Sequence, residues 1–130
     1  MKKLTVFLLA IFAVNLVGCS KDAQINAFLV EWETAVNDMS AKIEAGDVDG
    51  ARTVFDAKKD YLKKEVEEIR TAGDSRISEE TKKKMEEGAK KNMSTLLNAT
   101  MKGTMKMGGD KAKSDKLQAL MKEYGEIFKM

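Results

Sequence analysis

Sulfur offers this chain its most suggestive chemistry. Met101-Lys102-Gly103-Thr104-Met105-Lys106-Met107 sets three of the nine methionines within seven positions. Thioethers are soft ligands suited to Cu(I). On a straight helix Met101 and Met105 stand about 40° apart, near enough to share an ion, while Met107 points elsewhere unless the chain unwinds at Gly108. The competing reading is packing, since methionine fills irregular cores. Carboxylates come next, as the pairs Glu67-Glu68, Glu79-Glu80 and Glu86-Glu87. Neighbours in sequence point to different parts of a helix surface, a poor start for glycosidase-type acid and base work. Asp47-Val48-Asp49-Gly50 resembles the opening of a calcium loop but lacks the third acid and the distal Glu. Histidine is absent, so neither Cys-His and Ser-His-Asp nucleophiles nor a Glu-x-x-His di-iron site can be assembled. These residues point away from an enzyme and call for no cofactor. The alternative they leave is a Cu(I) site on Met101, Met105 and Met107.

Helices must position these groups. Ile25, Leu29, Trp32, Val36, Met39 and Ile43 recur at 4-3-4-3-4 spacing, a narrow helical stripe of the coiled-coil kind that Phe28 widens. Ala45-Gly46-Asp47 stops that helix, and Asp47 or Asp49 can cap the next. So short a connection makes the second helix antiparallel to the first. It is expected from about Asp49 to Ala72, with Ala51, Phe55, Leu62, Val66 and Ile69 on one face, Val54 and Tyr61 on its flank, and Gly73 just past its end.

Ser78 is a suitable N-cap for a third helix, with Glu79 and Glu80 in the first turn. Glu79–Lys83, Glu80–Lys84, Glu86–Lys90 and Glu87–Lys91 are acid-first i,i+4 pairs, which predict a solvated face. The buried side is read as Met85, Ala89, Met93, Leu96, Leu97 and Thr100, and Gly88 or Gly103 as a point of close helix approach. Gly108-Gly109 ends the helix and Asp110 to Lys113 reads as a polar loop. Ser114 or Asp115 then caps a short last helix carrying Leu117, Leu120, Met121, Tyr124, Ile127 and Phe128. The expected fold is all-α: an antiparallel helical bundle of three long helices plus one short C-terminal helix. Trp32 belongs either in its core or at a lipid interface.

The N-terminus is a separate signal. Met1-Lys2-Lys3 is followed by an apolar run from Leu4 to Val17, interrupted only by Thr5 and Asn15. That is the layout of a secretory signal peptide, too short for the roughly 20 apolar residues that span a bilayer. Leu16-Val17-Gly18-Cys19 resembles the lipobox of bacterial lipoproteins. The resemblance covers the leader alone, and beyond it the body suggests no family. It implies cleavage between Gly18 and Cys19 and a diacylglycerol on the Cys19 sulfur, often with a further acyl chain on the new N-terminus. Two or more chains make attachment effectively permanent. In the enterobacterial sorting scheme, Ser20 after the cysteine favours the outer membrane.

Losing residues 1–18 would leave 112 of the 130 residues as one helical domain, 19–130. Lys2 and Lys3 leave with the leader, so the 23 basic residues fall to 21 and balance the 21 acidic ones. A neutral body is a poor candidate for nucleic acid, whose binding rests on phosphate neutralisation. Cys19 is the only cysteine, so packing alone must stabilise the folded part. Ser20 to Gln24 is the whole stretch between Cys19 and the first periodic residue, and reaches under about 20 Å. The body is expected close to the membrane, on the periplasmic side of the cell envelope. Its expected partners are the membrane, through Cys19, and an envelope protein met by binding or scaffolding.

Overall fold

The computed structural model describes residues 20–129. The Leu16–Cys19 tetrad, its cleavage point and its lipid site lie outside the described residues. Within them the chain is all-helical, with four α-helices and no strand. These are α1 (Asp22–Glu44), α2 (Val48–Ala72), α3 (Glu79–Met107) and α4 (Lys111–Ile127), with a single 3-10 turn at Asp74–Arg76 before α3. None is long and apolar enough to cross a membrane.

Local chemistry sets the ends. The Asp47 carboxylate accepts the Gly50 N–H at 2.9 Å, and the Ser78 hydroxyl accepts that of Thr81 at 3.2 Å; both satisfy orphan first-turn donors. Gly46 and Gly108 take the left-handed backbone conformation that ends α1 and α3, at φ +78° and +56°. The start of α4 departs from expectation. Gly108-Gly109 has already turned the chain, so Asp110, not Ser114 or Asp115, is the cap, accepting from Lys113 N–H at 3.2 Å. Asp110–Lys113 is therefore the cap and first turn, not a loop, and Asp115 pairs back to Lys111 at 2.8 Å.

α1 is the central helix: it packs against both α2 and α3, while α4 lies mainly along α2. Contacts between α1 and α2 advance in opposite senses, Gln24 reaching Glu65 and Glu68 while Glu31 meets Lys58. Those between α1 and α3 advance together, from Asp22 with Ser78 through Glu33 with Lys91 to Glu44 with Lys102. The first end is tied by backbone: the Lys21 N–H donates to the Arg76 carbonyl at 2.9 Å. Beside it the Ser78 N–H donates to Asp22 at 3.0 Å, and this bond holds the Asp22 carboxyl below its ordinary pKa.

Ile25, Val36, Met39, Ile43, Phe55, Leu62 and Leu120 form the fully buried centre. The α1–α3 contact is close to backbone distance, because a Cβ on Gly103 would lie 2.4 Å from the Ile43 carbonyl oxygen. That contact selects the face of α3 that is buried, and the selection corrects the sequence reading. Thr81, Asn92, Leu96, Ala99 and Gly103 are buried and Met85 and Ala89 half-buried, whereas Met93 and Leu97 are exposed. Two helices this close need small residues between them, and the large ones turn outward.

Aromatic side chains fasten α4. Trp32 is buried, which places it in the core, and stacks on Phe28 and Phe128 with ring centroids 5.5 and 4.6 Å away. Its indole N–H donates to the Tyr124 hydroxyl at 2.8 Å. Burial pushes the Tyr124 phenol up from 10.0 to about 12. The unfolded chain ionises it first, so this contribution to stability is whole below pH 10 and is lost as pH rises through 12. Thermal melts should fall steeply across that window, and Tyr124→Phe should flatten the fall. Tyr61, raised by burial and by Glu65 and Glu31, leaves a residual slope.

Candidate functional site

The long third helix carries the most prominent outward feature. Met93, Leu97, Met101 and Met105 are 71, 59, 60 and 83 % exposed and follow one another at intervals of four. Such a row is one of the ridges by which helices interlock. Measured from Gly103, which faces α1, Met101 lies about 160° around the helix, on its outer side. Ser94, Asn98 and Thr104, all exposed and uncharged, stand beside the row. A contiguous apolar patch of this kind commonly marks a docking surface. Val30 on α1 is also exposed, but it stands alone and needs no explanation.

About one to three turns below the row are Lys83, Glu86, Glu87 and Lys90. All four are exposed, and none forms an ion pair within the described residues. Their neighbours do: Lys82 meets Glu79 at 3.1 Å, Lys84 meets Glu80 at 3.4 Å and Lys102 meets Glu44 at 3.5 Å. Of the four expected i,i+4 pairs only Glu80–Lys84 forms. Lys91 turns from Glu87 to Glu33 on α1, because the parallel neighbour brings a carboxylate to its side. What remains is an apolar row above a balanced group of two cations and two anions.

The three candidate sulfurs do not converge. Met101 and Met105 share the exposed row, while Met107 is half-buried and packs against the core. A single ion would thus find two thioethers on one face. Among the described residues no three His, Cys, Asp or Glu side chains are placed to hold a metal. In the calcium-like segment, Asp47 caps α2 and Asp49 pairs with Lys116 at 3.2 Å. Near residue 20, Lys21, Arg76, Glu67, Glu68, Thr71 and Ala72 line an open cleft of about 430 Å³. Its charges are balanced, and Gln24 bonds both Lys21 and Glu68 beside it.

The apolar row was only partly visible beforehand. Met101 and Met105 fall well off the buried arc by angle alone, but Met93 and Leu97 look like core residues. The small residues Ala99 and Gly103, with Asn92, held the contrary signal. Compared with known proteins, the chain matches no family model, no curated protein and no solved structure.

Proposed function

We propose that this chain is a lipid-anchored lipoprotein of the bacterial cell envelope whose helical body acts by binding or scaffolding and not by catalysis. Residues 1–18 are its signal peptide and Cys19 its lipid site. The body is an antiparallel bundle of three long helices and one shorter one, held on the periplasmic side, at the outer membrane if the host has one. The observation that carries the binding role is the exposed Met93-Leu97-Met101-Met105 row, since apolar rows of this kind serve contact more than solubility.

The anchor rests on the resemblance of Leu16–Cys19 to a lipobox. Helix α1 opens at Asp22 and Lys21 is already bonded to Arg76, so lipid on Cys19 would hold a rigid body and not a free-swinging one. Growth with an alkyne-bearing fatty acid tests this. The full chain should become labelled and sediment with membranes, its mature N-terminal peptide should carry the lipid mass on Cys19, and Cys19→Ser should lose both label and membrane association. A mature chain with a free Cys19 thiol would refute the anchor.

The Cu(I) reading survives as a two-thioether site on Met101 and Met105, because the pair is exposed one turn apart. It does not account for Met93 and Leu97 in the same row.

A further inference from the structure

We infer that the outer face of α3 pairs with the same face of a second copy of this chain, the two α3 helices running in the same direction. The inference deepens the binding role proposed above and takes its geometry from an anchor at Cys19. Its first support is charge. The row from Met93 to Met105 is flanked by Ser94, Asn98 and Thr104, so a copy laid on it meets no like charge. Below it Lys83, Glu86, Glu87 and Lys90, which form no ion pair among the described residues, offer equal numbers of each sign within about two turns. When two copies stand level, each lysine of one finds glutamates of the other three or four positions away, about one turn along, which offset its own counterpart at the same height. Such pairs across neighbouring helices select orientation. An antiparallel arrangement would set this charged group against the upper end of the same face, Met105, Gly108 and Gly109, where the one nearby cation, Lys106, turns away toward Gly46, and leave it unmatched.

Membrane geometry supports the same occupant. Copies fixed at the same end in one bilayer present α3 pointing the same way. The bilayer itself is a poor occupant. To lay α3 on it, α1 must stand a helix spacing of about 8–10 Å further out, plus about 5 Å for the half-width of α3. Only Ser20 separates Cys19 from Lys21, which is bonded to Arg76, and two residues reach about 7 Å. Upright, the row spans about 18 Å of helix and begins about 22 Å beyond Ser78.

One helix face buries less than the roughly 1,200–2,000 Å² of a stable complex. Free bodies would therefore pair weakly, and anchored ones effectively, because confinement to a surface raises local concentration.

The test uses the full chain in its membranes. Ser94→Cys puts a thiol beside the row, and Asp38→Cys puts one at an exposed position of α1 as the control. With a short bis-maleimide, Ser94→Cys should yield at least about tenfold more crosslinked dimer than the control. Adding Glu86→Lys with Glu87→Lys should remove most of the dimer, and further adding Lys83→Glu with Lys90→Glu should restore it. All four positions are exposed, and matching thermal melts would show the fold unchanged. Equal yields from both thiols in a chain shown to carry lipid would overturn the pairing while leaving the anchor. Adducts of Ser94→Cys only to proteins of other mass would overturn it as well. A Ser94→Cys dimer in a chain found without lipid would sustain the pairing and remove the anchor.

Discussion

Trp32→Ala is expected to cost about 3–5 kcal/mol, lowering the melting temperature of a body this size by about 12–20 °C. The indole lies between Phe28 and Phe128 and donates to Tyr124, so its loss opens a cavity and leaves a half-buried hydroxyl without its donor. The effect should also be local. Phe128 and Tyr124 are what bind the end of α4 to α1, and amide exchange in α4 should quicken far more than in α3. Trp32→Phe keeps part of the stacking and removes the hydrogen bond; it should lose appreciably less. Urea melts of the two variants check the difference, and equal losses would mean the stack contributes little.

Gly103→Ala is the second large effect, and its sign is opposite to what helix propensity predicts. Alanine favours a helix interior by about 1 kcal/mol over glycine. At Gly103, however, the added carbon would sit 2.4 Å from the Ile43 carbonyl oxygen and 2.9 Å from Ile43 Cγ2. A backbone atom cannot rotate aside, so α1 and α3 must part where Ile43 and Ala99 are fully buried. The net loss should be about 2–3 kcal/mol. Gly88→Ala is the internal comparison: its added carbon meets only the end of Leu29, Cδ2 at 3.3 Å, and should be neutral or stabilising by up to about 1 kcal/mol. Denaturation midpoints of the pair measure the contrast directly. Similar effects at both sites would show that the α1–α3 distance is not fixed by Gly103.

These two glycines also show how far the fold was legible. Stop and start signals worked where one residue has one job: Gly46, Gly73, Ser78 and Gly108 bound the helices. Hydrophobic periodicity located the buried faces of α1 and α2, whose partners are met through large side chains. On α3 it placed Leu96 inside, and Met85, Ala89 and Thr100 half inside, but missed at Met93 and Leu97, because the neighbour there is α1 at backbone distance and the inner positions had to be small. A pattern weighted by hydrophobicity followed Met93 and Leu97 outward. Ser114 and Asp115 misled for another reason: capping depends on where the backbone has already turned, and Gly108-Gly109 had turned it before Asp110. The candidate surface was therefore legible in part, through Met101 and Met105, but its extent depended on which helix stands beside which.

The attachment of Lys21 to Arg76 and the central place of α1 have a mechanical consequence. Any tension applied at residue 20 enters the body along the axis of the helix most enclosed by others. Load is then shared in shear over the whole length of α1, with α2 on one side and α3 on the other, so nothing can be peeled off one turn at a time. Withdrawing α1 would require the contacts of Ile25, Val36, Met39 and Ile43 to give way almost together. A body tugged from that end should hold until it fails abruptly.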